Sequence, residues 1–249
     1  MDFTDGTAVV TGAASGAGKA TAIAFGNTGA NVALLDINED GAREVAELIE
    51  ASGTKAMVCP VDLARSSDVQ AALRAVHERF GRLDAVANVA GIYPKATVPE
   101  VTEEFWDRML AVDLRAVFFC CQEAIRIMSA QGHGAIVNVA SDAAWRPLVG
   151  HATYSAAKAG LVGMSRVLAL ECARTGVRVN VVAPGHISGG QSVETMSELQ
   201  RQGLAIATAV ARAVTPEEIA NTILWLCSDA ASGVNGGIIH VNMGNFTAV

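Results

Sequence analysis

The sequence contains no apolar run of about 18 residues, the length that a membrane-spanning helix needs. It is also short of positive charge, with 18 lysines and arginines against 25 aspartates and glutamates and a net charge of −7. We therefore expect neither a membrane segment nor a nucleic-acid-binding surface. Asp2 and Asp5 contradict the basic start of a secretory signal peptide, so we expect no such signal.

Cysteine pairs of the kind that bind metals are missing as well. The cysteines are five, an odd number, and no two of them form a C-x-x-C motif. Such an unpatterned set is typical of reduced, buried residues in a cytoplasmic protein, and we expect neither disulfides nor a metal site. The five are Cys59, Cys120, Cys121, Cys172 and Cys227.

The chain does have length and apolar content: 249 residues, 51% of them hydrophobic. That suffices for one α/β domain over residues 1–249. Short apolar runs are separated along the chain by segments with helical spacing. Most of these runs lack polar residues at every second position, which is typical of strands covered by helices on both faces. The predicted fold is a Rossmann-like, doubly wound parallel sheet of seven strands. We predict strands at 7–11, 31–36, 55–60, 84–89, 134–140, 177–183 and 237–241, and helices near 17–28, 39–51, 66–79, 102–130, 152–174 and 216–228.

Residues 11–18, Thr-Gly-Ala-Ala-Ser-Gly-Ala-Gly, form a glycine-rich turn between a predicted strand and a predicted helix. Strand, glycine turn and helix is the context that a dinucleotide-binding fingerprint requires. Glycines let the backbone approach a pyrophosphate, and the helix N-terminus supplies free N–H groups. The spacing is G-x-x-x-G-x-G, not the commoner G-x-G-x-x-G, and a glycine turn alone also fits a tight loop without a ligand.

Asp36 ends the next apolar run and lies 24 residues after Gly12. A carboxylate at this point accepts hydrogen bonds from the ribose hydroxyls of NAD and repels the extra phosphate of NADP. No arginine or lysine follows at Ile37 or Asn38, and none occupies Ser15. The sequence therefore favours NAD, with NADP as the alternative cofactor and a helix N-cap as the structural alternative for Asp36.

Tyr154 and Lys158 stand four residues apart, and Ser141 lies thirteen positions upstream. Residues i and i+4 share one face of a helix, so the lysine ammonium can lie near the tyrosine phenol. A nearby cation lowers the phenol pKa from its ordinary value of about 10. The pair then becomes a proton donor and acceptor for a hydroxyl or carbonyl group. A solvated helix face is the alternative for the two residues taken alone.

Taken together, these motifs resemble the short-chain dehydrogenase/reductase family, the single-domain kind of roughly 250 residues, over nearly the whole chain. The specificity lies in the order of six pieces, each weak by itself. They are Thr-Gly-x-x-x-Gly-x-Gly at 11–18, Asp62-Leu63, Asn88-Val-Ala-Gly91, Ser141, Tyr154-x-x-x-Lys158 and Pro184-Gly185.

The resemblance implies a role for each matching position. Tyr154 exchanges a proton with the substrate oxygen, Lys158 lowers the tyrosine pKa and holds the nicotinamide ribose, and Ser141 hydrogen-bonds the substrate oxygen. The cofactor-binding residues that it implies follow the strand ends in chain order. They are Gly12, Ser15, Gly16, Ala17, Gly18, Asp36, Ile37, Asp62, Leu63, Asn88, Ala90, Gly91, Tyr154, Lys158, Pro184, Gly185, Ile187 and Ser188.

Asp113 departs from the pattern, because the family commonly has asparagine at this point of the long central helix. An ionised carboxylate cannot donate a hydrogen bond. If it is buried near Lys158, its charge partly cancels the positive field on Tyr154. We therefore predict a weaker depression of the tyrosine pKa and an alkaline activity optimum. A helix-kink residue with no part in proton transfer is the alternative.

The substrate side carries no motif with chemical meaning. The irregular segment 185–215 is predicted to be a substrate loop or lid. Candidate substrate contacts are Tyr93, Trp145, His151 and His186. Arg146 follows Ser141 on a loop expected to border the pocket, and for it a solvated side chain is favoured over pairing with an acidic group. The C-terminal segment Val241–Gly244 departs from the family pattern where subunit contacts commonly form.

The resulting hypothesis is an NAD-dependent dehydrogenase or ketoreductase acting on a secondary alcohol or ketone. The alternatives are an NADP-linked 3-oxoacyl or carbonyl reductase and a catalytically silent dinucleotide-binding sensor. The resemblance implies a homotetramer or dimer built on helices 102–130 and 152–174. Substrate, pathway and physiological direction do not follow from the sequence.

Overall fold

The computed structural model describes residues 1–146, 148–189, 209–210 and 212–245, and its centre is a seven-stranded sheet. Every pairing is parallel, and the strand order is β3-β2-β1-β4-β5-β6-β7. The strands are β1 (Thr7–Thr11), β2 (Asn31–Asp36), β3 (Ala56–Pro60), β4 (Ala85–Asn88), β5 (Gly134–Val139), β6 (Val177–Pro184) and β7 (Ile238–Val241). The predicted doubly wound sheet is confirmed.

The strands read as unbroken apolar runs because helices cover both faces of the sheet. Successive residues of a strand point to opposite faces of the sheet, and here both faces are buried. Val9 enters a core with α3 (Ser66–Phe80), α5 (Ala116–Gln131) and α6 (Ala152–Glu171). Its neighbours Ala8 and Val10 enter the other core, with α1 (Gly16–Gly26), α2 (Glu39–Glu50) and α7 (Pro216–Cys227).

The order of the strands places a binding edge between β1 and β4. The chain winds outward from β1 in one direction and from β4 in the other, so the connections that follow these two strands diverge. Ligands of doubly wound sheets bind in the crevice that this divergence opens, outside the carboxyl ends of the strands. Thr11 and Asn88, the last residues of β1 and β4, are in register at this point.

The expected continuous helix 102–130 is wrong in one respect. It is divided into α4 (Glu103–Leu110), a π-helical turn (Ala111–Arg115) and α5. The turn holds Asp113, which is fully buried and accepts a hydrogen bond from the backbone N–H of Ile92 at 2.8 Å. Such π turns commonly occur at functional sites. The expected helix 152–174 ends at Glu171, and a 3₁₀ turn (Ala173–Thr175) follows it.

Within the described residues, no helix is both long and apolar enough to cross a membrane.

Candidate active site

Two adjoining clefts open at the carboxyl edge of the sheet. The glycine cleft, of about 540 Å³, is lined by residues that include Gly12, Ser15, Gly16, Ala17, Gly18, Asp36, Ile37, Asp62, Leu63, Ala90, Gly91, Arg108, Val112 and Ile187. The tyrosine pocket, of about 190 Å³, is lined by residues that include Gly91, Ile92, Tyr93, Ser141, Asp142, Arg146, Leu148, Tyr154, Lys158, Pro184, Gly185, His186, Ile187 and Asn245. Because some residues, such as Gly91 and Ile187, line both cavities, one extended ligand can reach from the glycine cleft into the tyrosine pocket.

The glycine turn has its shape because two of its residues have positive φ. Gly12 has φ +68°, and a Cβ there would lie 2.9 Å from the Cα of Ala90. Gly16 has φ +53°, and a Cβ there would meet nothing within 4 Å. Gly12 therefore serves close packing between β1 and β4, whereas Gly16 leaves open space on the cleft side.

The start of α1 offers hydrogen-bond donors to the glycine cleft. Its N-cap residue Ser15 has extended backbone and makes no side-chain cap bond, and no acidic residue occupies the first turn. The first N–H groups of a helix have no partner within the helix and carry the positive end of its dipole. With the open space at Gly16, these groups fit the pyrophosphate of a dinucleotide.

Asp36 stands at the far end of the glycine cleft with its carboxylate held in place. Its Oδ2 accepts from the N–H of Ala14 at 2.9 Å and its Oδ1 from the N–H of Asn38 at 2.9 Å. The N-cap of α2 is Asn38, whose side chain accepts from Gly41, so Asp36 is not the helix cap. Each carboxylate oxygen retains a further acceptor position for a ligand hydroxyl.

Asp62 adds a second carboxylate to the glycine cleft, and Arg108 accompanies it. Oδ1 of Asp62 accepts from the N–H of Ala64 at 3.0 Å, and Nη1 of Arg108 lies 3.4 Å from that oxygen. The hydrogen bond from Ala64 and the charge of Arg108 hold the pKa of Asp62 below its ordinary value. Arg108 was not anticipated from the sequence, because nothing in its neighbours marks it.

Asn88 differs from the other predicted cofactor contacts. Its side chain is 2% exposed and donates to Oδ1 of Asn138 at 2.8 Å. It braces β4 against β5 and does not line the glycine cleft. The backbone that follows is fixed by Thr11, whose hydroxyl accepts from the N–H groups of Val89 and Ala90 at 3.0 and 3.1 Å.

Tyr154, Lys158 and Ser141 meet in the tyrosine pocket. The first two lie one turn apart on α6, with Nζ of Lys158 5.6 Å from the centroid of the tyrosine ring. Nζ also donates to the carbonyl of Val139 at 3.1 Å. Ser141 lies two residues after the end of β5, and its side chain hydrogen-bonds Tyr154. The spacing in the sequence is therefore matched by proximity in space.

The electrostatics around Tyr154 differ from the expectation. Burial raises the pKa of Tyr154, the charge of Asp113 raises it further, and the hydrogen bond from Ser141 lowers it, with a net increase. The expected depression by Lys158 is therefore not found. The physical reason is that burial of the phenol and the negative charge of Asp113, which lies beside Lys158, both disfavour the phenolate.

That carboxylate belongs to Asp113. Its Oδ2 lies 3.7 Å from Nζ of Lys158, and within the described part of the chain it has no hydrogen-bond partner. Burial raises the pKa of Asp113, while the lysine charge opposes this increase. The interpretation that Asp113 affects the field at Tyr154 agrees with these contacts, and the residue also occupies a break in the helix.

Known proteins match this chain over almost its whole length. A family model described as enoyl-(acyl carrier protein) reductase matches residues 12–245. The chain belongs to the short-chain dehydrogenase/reductase family.

Within that family, the chain is similar to two relatives in sequence and to one solved structure in fold. Cis-4-hydroxycyclohexanecarboxylate dehydrogenase of Sinomonas cyclohexanicum is 40% identical, over 99% of this chain and 98% of that protein. The 3-oxoacyl-[acyl-carrier-protein] reductase FabG of Escherichia coli is 34% identical, over 99% of both. A 7α-hydroxysteroid dehydrogenase solved with NADH and 7-oxo glycochenodeoxycholic acid superimposes with a TM-score of 0.94 at 29% identity, over 98% of this chain and 95% of that one. Like them, this chain is an oxidoreductase of a family that uses nicotinamide cofactors.

Of the four substrate contacts predicted for this short-chain dehydrogenase/reductase, Tyr93 and His186 line the tyrosine pocket. Tyr93 packs edge-on against Tyr154 with 4.7 Å between ring centroids. His151 lies behind it, 4% exposed and stacked on the ring of Tyr93 at 4.3 Å. Trp145 does not line the pocket and packs on His240 at 4.8 Å.

The cofactor contacts predicted at the end of β6 and just beyond it also fall into two groups in space. Pro184, Gly185 and Ile187 line the tyrosine pocket. Ser188 lines neither cleft, and its N–H bonds the carbonyl of Val214 at 2.8 Å. Most of the predicted loop 185–215, namely residues 190–208 and 211, lies outside the described residues.

Two residues of the tyrosine pocket were missed from the sequence. Arg146, expected to be solvated, is half-buried in the pocket wall, and its Nη1 donates to Oδ1 of Asn245 at 2.6 Å. Asn245 lies beyond β7, directly after the segment Val241–Gly244 that the sequence linked with subunit contacts. Contacts between residues 99 positions apart leave no signal in local spacing.

Proposed function

We propose that this protein transfers a hydride between NAD and a secondary alcohol or ketone, with Tyr154 as general acid and base. The observation that supports this most is the meeting of Tyr154, Lys158 and Ser141 in a pocket that adjoins the glycine cleft. A bound nicotinamide would supply the hydride acceptor or donor. The residues of this chain supply binding, orientation and the proton.

Tyr154 exchanges its phenolic proton with the substrate oxygen. Because its pKa is raised, the phenol is protonated at neutral pH and is ready to donate in the direction of ketone reduction. Alcohol oxidation needs the phenolate, whose fraction increases as the pH rises toward that pKa. Ser141 donates a hydrogen bond to the same oxygen as negative charge develops on it.

Lys158 holds the nicotinamide ribose and supplies positive charge beneath Tyr154. Its position is fixed from two sides, by the carbonyl of Val139 and by the carboxylate of Asp113. Asp113 is a positioning residue in this scheme, since it contacts Lys158 and the N–H of Ile92 rather than the reacting atoms.

The preference for NAD rests on the charge at the adenosine end of the glycine cleft. Asp36 presents a carboxylate there that the N–H groups of Ala14 and Asn38 hold in place. A 2′-phosphate on the ribose would stand close to this negative charge. Arg108 lines the same cleft, but its charge is already paired with Asp62.

An NADP-linked 3-oxoacyl or carbonyl reductase is the second candidate. It is supported by the 34% identity to the 3-oxoacyl-[acyl-carrier-protein] reductase of Escherichia coli and by the presence of Arg108. A silent sensor has less support, because the chain retains Tyr154 and Lys158.

We also propose a single cytoplasmic domain over residues 1–249 that assembles as a homotetramer or dimer. The assembly is supported by apolar side chains exposed on the central helices: Trp106 at 41%, Val167 at 53% and Leu170 at 79%. The location is supported by the cysteines, all five of which are buried and unpaired.

The test is binding and turnover with both cofactors. Dissociation constants for NADH and NADPH come from nucleotide fluorescence, and initial rates from secondary alcohols that include cyclohexanol and 4-hydroxycyclohexanecarboxylate. We expect NAD-linked turnover that Tyr154→Phe abolishes. NADPH binding tighter than NADH binding would favour the second candidate, and tight NADH binding without turnover on the panel would favour the sensor.

A further inference from the structure

Arg146 is the feature of the tyrosine pocket that the proposed chemistry does not use. The 3₁₀ turn Asp142–Ala144 begins directly after Ser141, and Arg146 lies two residues beyond the end of this turn. Its half-buried side chain lines the same cavity as Ser141, Tyr154 and Lys158. A guanidinium carries a full positive charge, so placing it in the wall of a small cavity has a cost unless a ligand offsets it.

The position of Arg146 is fixed from within the protein. Its backbone N–H donates to the carbonyl of Asp142 at 2.8 Å, and Nη1 donates to Oδ1 of Asn245 at 2.6 Å. One of its five N–H donors is thus used by a neutral amide, and the guanidinium retains others for a planar acceptor. This arrangement positions the charge without neutralising it.

A counter-ion for Arg146 is missing among the described residues, since no carboxylate of theirs lies within 4.0 Å of the guanidinium. The nearby Asp142 is bound elsewhere, to Nδ1 of His240 at 3.1 Å and to the amide of Asn242 at 3.0 Å. Asp113, the other buried carboxylate of this region, lies beside Lys158.

The remaining ionisable groups near Arg146 add no negative charge. Burial lowers the pKa of His186, and the charges of Arg146 and Lys95 lower it further, so this imidazole is neutral at pH 7. Lys95 is exposed and lies near the pocket mouth. The carbon skeleton of a ligand would meet apolar side chains in the same cavity, since Ile92, Tyr93 and Leu148 also line it.

We propose that the substrate of this site is a hydroxy or oxo acid whose carboxylate binds Arg146 while its alcohol or ketone faces Tyr154 and Ser141. The inference rests on the proposed function and specifies its substrate class. A carboxylate matches the planar fork of a guanidinium, and one cation that has no carboxylate within 4.0 Å among the described residues suits a monoanion.

Matched pairs of substrates test the proposal. The probes are 3-hydroxybutyrate and 3-hydroxycyclohexanecarboxylate, each beside its methyl ester, with NAD as cofactor. We expect kcat/KM for the acids to exceed that for the esters by about 10- to 100-fold, the range of a hydrogen bond to a charged group. Arg146→Gln is expected to remove this preference through the acids alone, and Arg146→Lys to restore part of it.

The control variant is Arg174→Gln, an exposed arginine in the 3₁₀ turn before β6, at the opposite edge of the sheet. It is expected to keep the wild-type preference for acids. Turnover of acids and esters with equal kcat/KM in the wild-type protein would overturn the anionic substrate and leave the proposed function intact. Absence of turnover with all alcohols, acids and esters alike, would instead reject the proposed function and this inference with it.

Discussion

The glycine cleft and the tyrosine pocket adjoin, yet they are built from different kinds of parts. The glycine cleft is mostly backbone: a turn with two positive φ angles, the start of α1 and strand ends fixed by Thr11. The tyrosine pocket is mostly side chains, brought together from β5, α6, the π turn and the segment after β7. We infer that the first recognises a constant group and the second determines reactivity and substrate.

The difference also appears in where the charges lie. In the glycine cleft the carboxylates of Asp36 and Asp62 are partly exposed and bonded to backbone N–H groups. In the tyrosine pocket the pair Lys158 and Asp113 is buried at 3.7 Å. Changes in the first cleft should therefore affect affinity, and changes in the second should affect rate, pH dependence and stability together.

Breaking the buried pair should have the largest effect. Lys158→Met leaves the carboxylate of Asp113 buried without a cation, which should cost about 3 kcal/mol in the free energy of unfolding, and kcat should fall by about 100-fold or more. Urea denaturation and initial rates measure the two. The double variant Lys158→Met/Asp113→Asn should regain part of the stability but none of the activity; equal stability of the single and double variants would contradict the pairing.

Two alanine substitutions in the glycine turn should separate packing from binding. Gly12→Ala adds a Cβ 2.9 Å from the Cα of Ala90 at positive φ, and we expect it to lose about 2–3 kcal/mol of stability. Gly16→Ala is disfavoured only by the positive φ, which should reduce the free energy of unfolding by about 1 kcal/mol. Its methyl group should instead weaken NADH binding. Denaturation and NADH titration distinguish the two, and similar stability losses would refute the contrast.

Removing the charge of Asp36 tests whether the adenosine end of the glycine cleft selects between NADH and NADPH. Asp36→Asn keeps the shape but lifts the repulsion of a 2′-phosphate, so the ratio of NADPH to NADH dissociation constants should fall by about 10-fold. Fluorescence titration of both nucleotides measures it. An unchanged ratio would mean that Asp36 does not select the cofactor.

The smallest effect expected is a displacement of the pH profile. Asp113 raises the pKa of Tyr154, so Asp113→Asn should lower that pKa and move the rise of alcohol oxidation toward lower pH. The sign follows because the phenolate, the form active in oxidation, then appears at lower pH. The pH dependence of kcat/KM measures it, and a profile that does not move would leave Asp113 as a helix-break residue only.

The sequence predicted most of what depends on local pattern. The strands appear within about two residues of their expected bounds, because each is a short apolar run closed by a polar or turn residue. The glycine turn and the Tyr154–Lys158 spacing were visible for the same reason, since their partners lie a few positions apart in the chain.

What depends on distant contacts was not predictable. The π turn at Ala111–Arg115 follows from burial of Asp113 against Ile92 and Lys158, which a helical pattern does not reveal. The raised pKa of Tyr154 follows from its burial and from the charge of Asp113, and the spacing to Lys158 in the sequence reveals neither. Arg146 was taken for a solvated residue because Asn245, its partner, is 99 positions away.

The most direct test of the account is a paired measurement on Tyr154→Phe: the NADH dissociation constant and kcat on the same preparation. If cofactor binding belongs to the glycine cleft and proton transfer to Tyr154, affinity should change by less than about 10-fold, while kcat should fall by about 100-fold or more. A variant that retains its kcat, or that loses affinity and rate in equal measure, would contradict the account.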